Sequence, residues 1–267
     1  KCPQGRFSMT QNKLMKNDLE RMRAPGIRPT RILHGILAAA FIATFAWTDG
    51  ARADDQDVDW AGLWADCLVR QKGVMSNKEM RRAMSASAGR FEKLRNRPLA
   101  EKCVAVNAAV NKDIAFVWDQ WNYAKEERFA APGETLREGR GDCEDYAILK
   151  YFLLRNLDVP ADNLMLAVVD IPGGMHMVLL VGEALRLCQA GNRGMFMGTH
   201  PQGILVLDNK HQDRPPPALE NAPYGEAYFL INEKKALKKG GDNVWRTERE
   251  FKLIPLAKLF PPRKALP

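Results

Sequence analysis

The chain has 267 residues, 46% of them hydrophobic, and a formal net charge of +8 at pH 7. Most of that charge is local. Residues 1–53 hold nine Lys/Arg and three Asp/Glu, so they carry +6 and leave the remainder at +2. The overall basicity therefore says little about partners, and no basic stripe interleaved with aromatics argues for nucleic acid.

In chain order the first feature is ILHGILAAAFIATFAW, Ile32 to Trp47, preceded by Arg21, Arg23, Arg28 and Arg31 and followed by Ala51-Arg52-Ala53. A basic region, an apolar core and a small-x-small site read as a secretory signal cleaved after Ala53. The apolar run is short of the roughly 20 residues that a membrane-spanning helix needs. The chain opens on Lys1, with Met9, Met15 and Met22 as alternative starts, so residues 1–21 are expected to be a mis-assigned extension. The expected organisation is residues 1–53 as signal plus extension and 54–267 as one domain, periplasmic or secreted.

Residues 58–115 carry helical spacing, with Trp60, Leu63, Trp64, Cys67 and Leu68 at i, i+3, i+4, i+7 and i+8. Residues 119–142 break up, and the stretch from Phe129 through AAPGETLREGRG reads as a loop. CEDYAILKYFLLRNL, from Cys143, predicts a helix of about four turns that closes at Asp158-Val159-Pro160. Leu164–Val169 and His176–Val181, joined by Pro172–Gly174, predict a hairpin. A loop with Gly191, Gly194 and Gly198 leads to a short strand at Ile204–Asp208, and Ala227–Ile231 predicts another. Lys234, Lys235, Lys238 and Lys239 read as a solvated loop, and Val244–Phe251 as an edge strand. Helices, then one central helix, then antiparallel strands make an α+β domain with segregated parts.

Four cysteines follow residue 53: Cys67, Cys103, Cys143 and Cys188. None forms a CxxC pair, so the spacing offers neither a zinc site nor a thioredoxin-like motif. In an oxidising compartment Cys67 and Cys103 are candidates to pair. Cys143 differs in context: it opens the strong helix directly after Gly139-Arg-Gly-Asp142. The positive end of a helix favours a thiolate and lowers the thiol pKa from about 8.5, although a lone cysteine is more often a small buried hydrophobe.

A thiol nucleophile needs a base. Of His176, His200 and His211, only His176 begins a strand, and a rigid element positions a base better than a loop does. A third group must fix the imidazole. Asp208 ends the run Ile204–Leu207 at a strand terminus, with Asp213 as a less favourable substitute. Alone, each residue has a plain structural reading, a satisfied strand-end histidine or a turn-forming aspartate.

RGDCEDYAILKYFLL, then GGMHMVLLV, then VLDN closely resembles the bacterial transglutaminase-like cysteine peptidases, a group that includes the LapG-type periplasmic proteases. The resemblance spans roughly Val104 to Ile231. It implies a papain-like core and a Cys-His-Asp triad carried by Cys143, His176 and Asp208, cutting a peptide bond through a thioester. It also implies an exposed linker of a periplasmic or cell-surface protein, such as an adhesin, as substrate, and an inhibitory membrane-protein regulator. Acyl transfer to amines and a non-catalytic binding module are the alternatives on the same fold.

The acidic flank of the nucleophile, Asp142, Glu144 and Asp145, has two readings. The carboxylates complement the helix dipole, or they hold a hard cation. The resemblance implies calcium at Asp142 and Glu144, while the chemistry itself requires no cofactor. Trp118, Trp121 and Tyr123 are expected to line the substrate cleft or to be core aromatics, and the long segment 184–203 to shape specificity.

Overall fold

The computed structural model describes residues 58–260, apart from 126, 173, 184, 191–192, 198–202, 211–214 and 253. Residues 1–53, expected to be signal plus extension, lie outside the described residues, as do His200, His211 and Asp213. Among the described residues no helix is long and apolar enough to cross a membrane.

Three helices open the domain. α1 (Trp60–Val74) starts at Asp59, whose Oδ1 accepts from Gly62 N at 2.7 Å. That bond satisfies one of the free N–H groups at the helix start. Its buried face includes Trp60, Trp64, Cys67 and Leu68, and the Trp64 indole donates to Asn232 O at 3.0 Å. α2 (Lys78–Gly89) is capped by Asn77, and α3 (Leu99–Asp113) follows.

Next come β1 (Ala115–Phe116), the short α4 (Asp119–Asn122), α5 (Pro132–Glu138) and β2 (Arg140–Gly141), which pairs in parallel with β1. α5 corrects the expected loop. Its composition looks loop-like, but Pro132 stands at the first helical position, Glu134 Oε2 accepts from Ala131 N at 2.8 Å, and Gly139 ends it at φ 65°. Proline at the start and a left-handed glycine at the end are how a short helix is punctuated.

α6 (Cys143–Asn156) is the centre of the domain. Every residue from Glu144 to Asn156 is buried, so the helix is packed on all sides rather than along one stripe. Each apolar side chain there contributes roughly 1.5–3 kcal/mol. At its far end Arg155 pairs with Glu233 at 2.9 and 3.1 Å.

β3 (Leu164–Ile171), β4 (Gly174–Val181), β7 (Leu205–Leu207), β8 (Ala227–Ile231), β9 (Lys235–Lys239) and β10 (Trp245–Glu250) form one antiparallel sheet in the order β10-β9-β8-β3-β4-β7. Period-two alternation divides it into two layers. Leu166, Val168, Met177 and Leu179 face the α6 side, while Ala167, Val169, Val178 and Leu180 build the other layer. A short α7 (Leu256–Leu259) follows the last strand.

Three more expectations are corrected. The glycine-containing loop after β4 holds a hairpin of β5 (Arg186–Ala190) and β6 (Arg193–Met197). Most of the lysine-rich segment is strand β9 (Lys235–Lys239), because Ala236 and Leu237 turn into the two layers of the core while the lysines stay at its surface. Cys67 and Cys103 are free and buried, and Cys67 donates instead to Ala130 O at 3.5 Å. Cys188 lies on β5, with its side chain outside the described ones.

Candidate active site

The approach to Cys143 is set by two glycines. Gly139 takes the left-handed conformation that ends α5, which an L side chain rarely adopts. Gly141 passes so close to α6 that a Cβ would lie 2.3 Å from Asp145 Oδ2. The chain thus turns tightly onto the helix and leaves Cys143 half-buried at its first position.

Cys143 and His176 line one cleft of about 200 Å³, together with Asp119, Asp142, Glu144 and Trp118. Met177 of β4 lines the cleft with Cys143, and its N–H favours the thiolate. His176 Nε2 and Asp208 Oδ1 are 2.7 Å apart, both groups buried. With Nε2 committed to Asp208, Nδ1 is the ring nitrogen left for a proton on the cleft side. Asp208 Oδ1 also accepts from Lys210 N at 3.0 Å, and Oδ2 accepts from the Tyr224 hydroxyl. The Asp208 carbonyl accepts from Asn111 Nδ2 at 2.7 Å. Burial alone would raise the Asp208 carboxyl, but the bonds from His176, Tyr224 and Lys210 outweigh it and hold the acid well below its ordinary range.

The nucleophile's own side is different. Cys143 Sγ donates to Glu144 Oε2 at 3.2 Å. Its thiol is pushed up to about 12, by burial first and by the Asp142 charge, despite the Met177 N–H. The direction is opposite to that expected from the helix terminus. A partial charge of about +0.5 at a helix end does not offset a buried sulfur among carboxylates.

Ligand oxygens of Asp119, Asp142 and Glu144 all lie within 4.8 Å of one another, and all three residues are buried. Asp142 Oδ2 accepts from Asp119 N at 3.0 Å. Yet both oxygens of Asp119, Asp142 Oδ1 and Glu144 Oε1 have no hydrogen-bond partner among the described residues. Burial, followed by the Asp142 charge, pushes Asp119 up to about 7. Glu144 is raised by burial and by the neighbouring Cys143 and Asp142. Asp145 turns away to accept from Ala130 N at 2.9 Å.

Of the three aromatics expected at the cleft, Trp118 lines it, at 58% exposure. Trp121 is 77% exposed and outside the lining, and the Tyr123 ring lies under the Arg128 guanidinium at 4.1 Å. Sequence reasoning missed Asp119, Tyr224 and Trp60 at this site. Asp119 carried a usable signal, an acidic residue directly after Trp118; Tyr224 and Trp60 carried none.

Residues 75–185 match the family model described as bacterial transglutaminase-like cysteine proteinase BTLCP, a stretch that contains Cys143 and His176. This chain is similar to that family over 111 of its 267 residues. It is a cysteine peptidase. Among solved structures it is similar to calcium-bound LapG of Legionella pneumophila, with 23% identity over 64% of this chain and 86% of that one and a TM-score of 0.47. It is also similar to EGTA-treated LapG of the same organism, with 22% identity over 68% and 90% and a TM-score of 0.49. No curated protein gives a significant match.

Proposed function

We propose that this peptidase cuts a peptide bond through a thioester, with Cys143 as nucleophile, His176 as its base and Asp208 as the group that orients His176. The observation that carries the reading is the 2.7 Å His176–Asp208 bond beside a cleft that His176 shares with Cys143. Asp208 holds the Nε2–H tautomer, which leaves Nδ1 to take the Cys143 proton as sulfur attacks the carbonyl carbon. His176 returns that proton to the leaving amine. Water, deprotonated by the same imidazole, then adds to the thioester, releases the acid and restores the thiol. The Cys143 N–H, at the start of α6, stabilises the oxyanion as it forms.

Asp119, Asp142 and Glu144 fit a hard divalent cation such as Ca²⁺: they offer clustered carboxylate oxygens, buried and lacking donors. Bound there, the cation supplies the positive charge that keeps these carboxylates ionised. The signal-like residues 1–53 and the family resemblance support export to the periplasm or beyond. They also support an exposed linker of a periplasmic or surface protein, such as an adhesin, as substrate, and control by an inhibitory membrane protein.

The test is alkylation of the full chain by iodoacetamide at pH 7 with added calcium, mapped by peptide. Fast labelling of Cys143 that is lost in His176→Ala supports the pair. Slow labelling that is equal in both proteins overturns it. New N-termini in an exported-protein fraction, produced by the wild type and not by Cys143→Ala, would identify the substrate.

A further inference from the structure

Asp208 has two carboxylate oxygens, and only one of them meets His176. The other accepts the Tyr224 hydroxyl. Tyr224 comes from the irregular segment before β8, and that segment is pinned. Gly225 N donates to Asp170 O at 2.8 Å, and Asp170 N donates to Glu226 O at 3.2 Å. A Cβ on Gly225 would lie 2.9 Å from Asp170 Cβ and 3.1 Å from its carbonyl oxygen. The segment is thereby held against the end of β3 at a distance that only glycine allows, and the neighbouring tyrosine inherits that fixed position.

The ring is placed as deliberately as the hydroxyl. Tyr224 packs against the sheet layer built by Val169, Val178 and Leu180, the face opposite α6. His176 has the parity of Val178 and Leu180 along β4 and is paired with Val169. The Tyr224 and His176 rings lie 6.0 Å apart at 35°. Tyr224 and the imidazole therefore share the sheet face opposite α6, while His176 also borders the cleft that Cys143 lines.

We infer that Tyr224 is a positioning residue for the peptidase reaction: its hydroxyl fixes Asp208 Oδ2 so that Oδ1 stays on His176, and its ring packs beside the imidazole on the same sheet face. The inference rests on the reading of Cys143, His176 and Asp208 as the triad. A carboxylate bonded through one oxygen can rotate about its own bond and offer the imidazole either oxygen or neither. A second donor on a pinned backbone removes that freedom, as outer partners do for other oriented histidines. Among the described residues, the remaining groups at Asp208 are the Lys210 N–H on Oδ1, Asn111 on the carbonyl, and the buried Lys150 of α6, whose charge feels Asp208. None of them bonds Oδ2.

Tyr224→Phe tests this, because it keeps the ring and removes only the O–H. In the full chain with calcium at pH 7, Cys143 alkylation in Tyr224→Phe is expected to be about tenfold slower, the scale of one lost bond to a charged group. The melting temperature should stay near that of the wild type. In ¹⁵N-histidine-labelled protein the His176 Nε2–H signal, sharp in the wild type, should broaden in the variant; a merely structural tyrosine would not move it. Asp208→Asn is the reference arm. If Asp208→Asn slows alkylation while Tyr224→Phe leaves both rate and signal unchanged, this inference is overturned alone. If neither variant changes anything, the triad reading falls and this inference falls with it.

Discussion

At Asp208 both carboxylate oxygens have donors from the protein itself: His176 and the Lys210 N–H on one, Tyr224 on the other. At Asp119, Asp142 and Glu144, which line the cleft with Cys143 and His176, four buried carboxylate oxygens have none among the described residues. The acid at 208 is accordingly held below its ordinary range, whereas Asp119, Asp142 and Glu144 are all pushed above theirs. Burial acts upward on both clusters, so the sign is decided by whether donors oppose it. One cluster is complete within the polypeptide; the other calls for positive charge from outside.

The widest separation between the two should come from removing the reacting groups. Cys143→Ala is expected to abolish turnover, and Asp208→Asn to lower it about 10²–10⁴-fold, since an amide at 208 favours the wrong imidazole tautomer. Both proteins should still bind calcium, because neither change removes a carboxylate of the acidic cluster. Turnover by Cys143→Ala above a mock preparation would dismiss Cys143 as the nucleophile.

Calcium should act on the other cluster alone. A ligand at 100 times its dissociation constant stabilises by about 2.7 kcal/mol, which for a domain of this size is a rise of roughly 5–10 °C in Tm. Differential scanning fluorimetry with EDTA and then with Ca²⁺ should show that rise in the wild type and in Asp208→Asn, and lose it in Asp119→Asn. An equal rise in Asp119→Asn would remove Asp119 from the site.

The same contrast explains what could be read in the sequence. α6, the β3–β4 hairpin and β7 announce themselves by local apolar patterns, and Cys143, His176 and Asp208 sit at or near their ends. Asp119 and Tyr224 lie outside those patterns: Asp119 comes from the short segment after Trp118 and Tyr224 from the irregular segment before β8, where it reaches Asp208. β9 was hidden because only Ala236 and Leu237 of KALKK face inward. α5 was hidden because proline and glycine, the residues that punctuate it, are also the residues of loops. The thiol's direction was misjudged for a related reason. The helix terminus is visible in sequence, but the burial of Glu144 and its bond to the sulfur exist only after folding.

Lys150 is the exception on the completed side of the comparison, and it gives the smallest effect. It lies on α6 with no exposure, its Nζ has no hydrogen-bond partner among the described residues, and the Tyr146 ring is 5.7 Å away. Burial lowers it to about 7 from 10.5, against the attraction of Asp208. Below pH 7 both folded and unfolded chains carry the proton, so the full cost of burying the charge is present. Between about pH 7 and 10.5 the unfolded chain binds more protons, so stability rises with pH across that window. Lys150→Met should remove the cost and stabilise the protein by about 1–2 kcal/mol at pH 6, the lower range for replacing a buried ion by a hydrophobe. That gain should shrink at pH 9. Urea unfolding midpoints at the two pH values measure it, and an equal gain at both would mean that Lys150 keeps its proton throughout and that Asp208 is a closer partner than the burial of Nζ implies.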